Sequence, residues 1–273
     1  MINYEEKKIL IWGKTYPELS SKYFETVCTG GVLENGSPVR LYPIPFRYLS
    51  GEDRFEKYQW VTARLLRNPS DARPESYRVQ PDSLQCGEKI PTTKDEWGKR
   101  AEILFKNSNW QFNNVDDLLV SQRQHKTSLG VITPKEIVNV EVTKRSKDDE
   151  KDFAEKFEQL KLNNELSQAQ LDLFEQSTPA EMKHLDFVSS RIRIKWLCAS
   201  TTCNGHQMQI LDWEVGELQR KQGDDAACEK VKAICDLKQY ALKFFLGNLA
   251  QHPTAFTIVG LWYPKRQPDR LFY

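Results

Sequence analysis

Two cysteines and a histidine, Cys198, Cys203 and His206, fall within nine residues of "CASTTCNGHQMQILDWEV". Thiolate sulfur and imidazole nitrogen are the donors that zinc prefers, and Asn204-Gly205 supplies the tight turn such a group needs. His252 is the expected fourth ligand, with His184 an alternative. Cys228 and Cys235 sit at core spacing and are read as buried thiols. A hairpin turn holding one or two buried thiols explains the same residues without a metal. Asp212 and Glu214 follow in "DWE". Paired carboxylates can hold Mg²⁺ for phosphodiester chemistry. They can equally open a helix, Asp212 as its cap and Glu214 at its positive end.

A second kind of chemistry is binding. "VRLYPIPFRYL" interleaves Arg40, Tyr42, Phe46, Arg47 and Tyr48, and "ARPESYRV" adds Arg73, Tyr77 and Arg78. Guanidinium attracts phosphate and an aromatic face stacks on a base, so the mixture suits a single strand or an unstacked base. The competing reading puts Tyr42 and Phe46 in the core and pairs the arginines with Glu52, Asp53 and Glu75. In "RIRIKW", Arg191, Arg193 and Lys195 alternate with Ile192, Ile194 and Trp196. That gives a strand one apolar and one basic face, and the basic face either tracks phosphates or is ordinary solvated surface.

These residues need positioning elements, and the pattern supplies mostly strands. Lys8–Trp12 reads as a strand. Thr26–Leu33 and Val39–Ile44 form a hairpin around "ENGS", with its Asn-Gly turn signal. "YQWVTARLLR" (Tyr58–Arg67) fits helix or strand, with Trp60, Val61 and Thr62 favouring strand, and "ESYRV" and Ile137–Thr143 continue the β pattern. "TKDEWGKRAEILFKN" reads as a helix capped by Thr93, and a second short helix covers Val115–Ser121. A helix from Asp212 to Gly223 is followed by a longer one from Asp225 to about Leu249, then a last strand, "AFTIVGLWYP". The expectation is a mainly β protein with helical insertions, an α+β arrangement of two OB-like or PUA-like small barrels. A charged stretch free of glycine follows Lys144 and suggests a seam. The expected division is 1–145, a first barrel with a helical insertion; 146–186, a charged helical linker; and 187–273, a second barrel with two helices.

Composition narrows the functions. The chain has 273 residues, with 39 basic and 38 acidic side chains and a net charge of +1. Bulk charge therefore predicts no polyanion partner, and any nucleic-acid surface must be local. No Walker A loop, Gly-x-Gly-x-x-Gly or Gly-x-Ser-x-Gly elbow is present. No apolar run approaches a membrane span. Six irregularly spaced cysteines and a polar start predict a reducing cytoplasm and no secretory leader.

"KTYPELSSKYFETVCTGGV", "VRLYPIPFRYL", "RPESYRV" and "CNGHQMQILDWE" together resemble a poorly characterised prokaryotic family with tandem OB-like folds, found in mobile-element and defence neighbourhoods. The resemblance spans about Lys8 to Pro264. It implies two OB-like barrels and a role in sensing or binding nucleic acid, and supplies no catalytic residue. The leading expectation is a non-catalytic module binding DNA or RNA, single strands included, in a bacterial or phage antiviral defence setting, with zinc as the one candidate cofactor. The alternatives are a metal-dependent enzyme acting on nucleic acid or a modified nucleotide, and a protein-interaction adaptor whose partner is encoded nearby.

Overall fold

The computed structural model describes residues 4–20, 24–68, 71–80, 82–91, 96–171 and 183–266. The first half contains β1 (Glu5–Lys14), β2 (Glu18–Ser20), β3 (Phe24–Leu33), β4 (Pro38–Ile44), β5 (Gln59–Arg67), β6 (Ser76–Val79) and β7 (Gln85–Lys89). Five of these close into a ring in the order β1-β3-β4-β6-β5, with β1 pairing back onto β5. All the ring pairs are antiparallel except β4 and β6, which run parallel. Counting only barrel strands, the order is 1-2-3-5-4-1 with strands 3 and 5 parallel, which is the OB barrel.

Closure depends on β1 serving two neighbours. Glu5–Leu10 pairs with β5, and Ile9–Lys14 pairs with β3 across a bulge between Ile11 and Gly13. A bulge bends a strand and strengthens its twist, which a small barrel requires. Alternation along β1 then splits its side chains. Ile9 and Ile11 enter the barrel with Val27, Leu41 and Val61, while Leu10 and Trp12 face outward.

After β7 come α1 (Glu96–Leu104), a 3-10 turn (Ser108–Trp110), β8 (Gln111–Phe112) and α2 (Val115–His125). The second barrel comprises β9 (Leu129–Ile132), β10 (Glu136–Lys144), α3 (Lys147–Leu171), β11 (Ser190–Leu197), β12 (His206–Gln209), α4 (Trp213–Gln222), α5 (Asp224–Ile234), β13 (Lys243–Leu249) and β14 (His252–Trp262). Its order repeats the first. β9 pairs with β13, β10 with β11, β11 with β12, and β13 with β14. Ile210, just past β12, bridges in parallel to Ile258 of β14. β9 and β10 are therefore one bent first strand, interrupted at Thr133-Pro134-Lys135 because proline has no N–H to give a ladder. Both halves are OB barrels, and the PUA-like alternative falls to this strand order.

Two expectations are corrected. The seam does not lie at residues 145–146, because β9 and β10 complete the second barrel. The charged stretch after Lys144 is the excursion between that barrel's first and second strands. It carries α3, and 172–182 of it lie outside the described residues. The helix expected from Asp225 to Leu249 ends at Ile234, and Lys243–Leu249 is β13. Val231, Leu242, Phe245 and Leu249 match a helical period by coincidence. An Asx-type turn at Asp236, whose carboxylate accepts from the Lys238 amide at 2.9 Å, separates the two elements. The Thr93 cap expected for α1 lies outside the described residues.

The outward face of β1 joins the barrels. The Trp12 ring stacks on Phe245 of β13 with centroids 4.6 Å apart and lies 6.1 Å from Trp110. Gly30 makes room for it, since a Cβ there would sit 2.1 Å from the Trp12 ring. The seam also has a polar clasp. Arg40 donates to the Ser128 carbonyl at 3.0 Å, and the Glu75 carboxylate accepts from the Ser128 amide and hydroxyl at 3.0 and 2.9 Å.

Candidate functional site

In OB barrels the ligand face is made by strands 2 and 3 and by the loops joining strands 1–2 and 4–5. Here those parts are β3, β4, the β1–β3 connection and the β5–β6 connection. A cleft of about 310 Å³ opens on that face of the first barrel. Thr15 and Glu18 line it from the first connection, Thr26 and Cys28 from β3, Arg40 and Tyr42 from β4, and Arg73 from the second connection. The opposite wall belongs to the second barrel: Gly247, Asn248, Leu249, Ala250 and Gln251 at the β13–β14 turn, and Thr257 of β14. The cleft thus lies between a strand face of one barrel and a loop of the other.

Its two arginines are anchored. Arg40 is only 4% exposed. Its guanidinium donates to Cys28 Sγ at 3.1 Å and to the Ser128 carbonyl. Arg73 forks onto Asp71, Nε to Oδ1 at 2.9 Å and Nη2 to Oδ2 at 2.6 Å, and its Nη1 donates to the Asn248 carbonyl at 2.9 Å. Burial raises the Asp71 carboxyl pKa, but the hydrogen bonds from Arg73 and Ser76 outweigh it and hold the group well below the usual carboxylate range. Tyr42 is half-buried, and its hydroxyl accepts from Thr26 Oγ1 at 3.4 Å. Glu18, also at the cleft, lines a smaller adjoining cavity of about 90 Å³ together with Tyr16, Arg145, Arg191 and Gln209.

The remaining residues of the expected Arg-aromatic surface are not brought to this cleft. Phe46 is buried, edge-on to Phe55 at 4.9 Å and Trp213 at 5.0 Å, because it closes the barrel end against α4. Lys14 lies 4.4 Å from its ring centre, and burial lowers that ammonium's pKa. Arg47 pairs with Glu25 at 3.1 Å and donates to the His184 carbonyl, and the Tyr48 hydroxyl accepts from the Lys183 amide at 3.0 Å. Those two residues hold the chain segment leading into β11. Burial raises the Glu25 carboxyl pKa against the pull of Arg47. Tyr77 and Arg78 are half-buried on β6, with the Arg67 guanidinium 5.8 Å from the Tyr77 ring. The expected partners Glu52 and Asp53 do not form these ion pairs. Arg47 takes Glu25 instead, and Arg73 takes Asp71.

On β11 the alternation is as expected. Ile192, Ile194 and Trp196 are buried, and the cations face out. Arg191 pairs with Asp149 at 3.2 Å, Arg193 lies opposite Glu141 and Gln209, and Lys195 is exposed opposite Asn139 and Gln207.

Cys198, Cys203 and His206 do converge. His206 Nε2 lies 3.3 Å from each of Cys198 Sγ and Cys203 Sγ, so the group could hold a metal ion. Gly205 at φ +98° makes the turn that brings His206 back. His252, the expected fourth ligand, is not in this group. It is exposed at the start of β14. His184 is exposed too and faces Asp186 at 3.3 Å. Cys228 and Cys235 are buried in the second barrel's core.

Asp212 caps α4, accepting from the Glu214 and Val215 amides at 2.9 and 3.4 Å. The Lys57 ammonium sits 3.5 Å from Asp212 and 3.4 Å from Glu214. Burial works against that charge, but the two carboxylates hold the lysine above its usual range. Among the described residues, the cation between these acids is therefore a lysine of the first barrel.

Sequence reasoning missed Thr15, Glu18, Thr26, Cys28 and the 247–251 turn. The turn was hidden by the helix expected to run through it. The others are ordinary strand and loop residues that only the barrel topology singles out.

No curated protein matches the chain. Solved structures with similar outlines include a murine DNA-binding protein bound to double-stranded DNA, at 9% identity and TM-score 0.29, covering 98% of this chain and 99% of that one. The p204 HINb domain gives 8% and 0.31, covering 96% and 97%. A replication protein A heterotrimer bound to single-stranded DNA gives 8% and 0.33, covering 98% of this chain and 50% of that one. The barrel assignment rests on strand order and direction, not on these likenesses. Residues 5–106 match the domain of unknown function DUF8758. Residues 111–273, more than half of the chain, match the domain of unknown function DUF8757, and the chain belongs to that family.

Proposed function

We propose that this protein is a non-catalytic nucleic-acid-binding module that takes a single strand, with one unstacked base in the cleft between its barrels. The observation that carries this reading is the position of the cleft. It falls on the strand 2–3 face of an OB barrel, between the two loops that such barrels use for oligonucleotides. Its volume suits a base or nucleoside, not a duplex. Tyr42 offers a ring, while Thr26 and Gln251 offer polar groups to a base edge. The adjoining cavity shares Glu18 and Leu211 with the cleft and includes Arg191, so a backbone leaving the cleft meets the basic face of β11. A mobile-element or defence setting is supported only by the four-motif family resemblance.

The test is fluorescence anisotropy with a labelled single-stranded oligonucleotide and the matching duplex, from low to physiological salt. The single strand should bind more tightly, and its affinity should fall steeply with salt. No binding of either at low salt would overturn the reading. An enzyme centred on Asp212 and Glu214 has Lys57 against it, since that ammonium already neutralises the acids. Metal-dependent turnover of an oligonucleotide, lost in Asp212→Asn, would restore it. Co-purification with a neighbouring gene product and indifference to oligonucleotides would favour the adaptor.

A further inference from the structure

We infer that Cys198, Cys203 and His206 bind one zinc ion through both sulfurs and Nε2. The three donors come from one tight hairpin. Cys198 follows β11, Cys203 lies in the turn, and His206 opens β12 directly across from Trp196. The hairpin register fixes two donors on facing strands, and Gly205 allows the turn to place the third between them.

The spacing suits the ion. With Zn–S of about 2.3 Å and Zn–N of about 2.0–2.1 Å, tetrahedral geometry puts sulfur and nitrogen roughly 3.6 Å apart. The two observed separations are 3.3 Å, so the ligands need to spread by only a few tenths of an ångström. Donor chemistry agrees. The Cys198 amide points at Cys203 Sγ at 3.4 Å, a bond that favours a thiolate. Zinc takes cysteine as the thiolate and histidine as the neutral imidazole, so the thiol protons are released on binding.

The group has no part in the cleft, so this inference stands or falls apart from the proposed function.

The test is elemental analysis of the full chain, purified under reducing conditions without added metal, followed by Co²⁺ substitution. About one zinc per chain is expected, and cobalt should give thiolate charge-transfer bands with the intense visible bands of tetrahedral coordination. Cys203→Ser and His206→Ala should lose zinc and those bands while circular dichroism shows a folded chain. If Cys203→Ser fails to fold, His206→Gln, altered at a half-exposed side chain, carries the comparison. Zinc retained at full stoichiometry in both ligand variants, or no uptake by reduced wild type at micromolar free zinc, would overturn the site.

Discussion

The two barrels share one strand order and almost nothing else. In the first, a single unbroken β1 bends at a bulge to pair with both β3 and β5. In the second, the same task is divided between β9 and β10 around Pro134. The connection from strand 3 to strand 4 is a short 3-10 turn at Phe46–Tyr48 in the first barrel and two helices, α4 and α5, in the second. The strand 1–2 connection holds β2 in one and the long α3 in the other. Topology is therefore set by the alternating core residues, and the connections are free to specialise. The first barrel lends its strand face to the cleft. The second lends its β13–β14 hairpin, while α4 and α5 pack onto its core.

The largest test of this division is Trp12→Ala. Trp12 is fully buried where the barrels meet, and removing it should cost about 3–5 kcal/mol by urea denaturation. If the barrels are separately stable, the variant should unfold in two steps where the wild type unfolds in one. Lys57→Met comes next. It leaves Asp212 buried beside Glu214 without its counter-ion, and a loss of about 3 kcal/mol at neutral pH is expected from the same measurement. If instead the loss is negligible, the Lys57 ion pairs contribute nothing to holding the barrels together.

Asp71 sharpens the picture through pH. Its folded pKa lies below the unfolded value, so the stabilisation it gives is complete above about pH 4 and is lost as the pH falls further. Urea midpoints at neutral pH and near pH 3 should therefore fall less in Asp71→Asn than in the wild type. The binding effects are smaller or similar. Tyr42→Ala should weaken single-strand binding by about 1–3 kcal/mol if a base stacks there. Arg193→Ala should mainly reduce the salt slope, by about one. Equal effects of both on the salt slope would mean that the cleft reads only backbone.

Much of the barrel architecture was legible because alternation is local. Ile192, Ile194 and Trp196 declare their face within one strand, as the Asn-Gly turn declares the β3–β4 hairpin. The division between barrels was not legible. The change in composition after Lys144 marks a loop inside a barrel, and only pairing partners far away in sequence reveal it. The same limit governed the site. Arg40 looks like a surface cation in "VRLYPI", yet its partner carbonyl belongs to Ser128 on the far side of the seam. Residue type signals that an arginine wants an acceptor, not where the acceptor is. The Cys-Cys-His group was legible as a trio because its members share one turn.

The Ser128 clasp has a kinetic consequence. It fastens the strand wall of the cleft to the chain entering the second barrel, and Arg73 fastens the same wall to Asn248 at the opposite rim. These bonds tie the two walls together, so a strand bound as proposed would meet a cleft already shaped for it, with little ordering left to do on arrival. Capture should then proceed in a single concentration-dependent phase, and substitutions along the walls should be felt mainly in how long the guest stays.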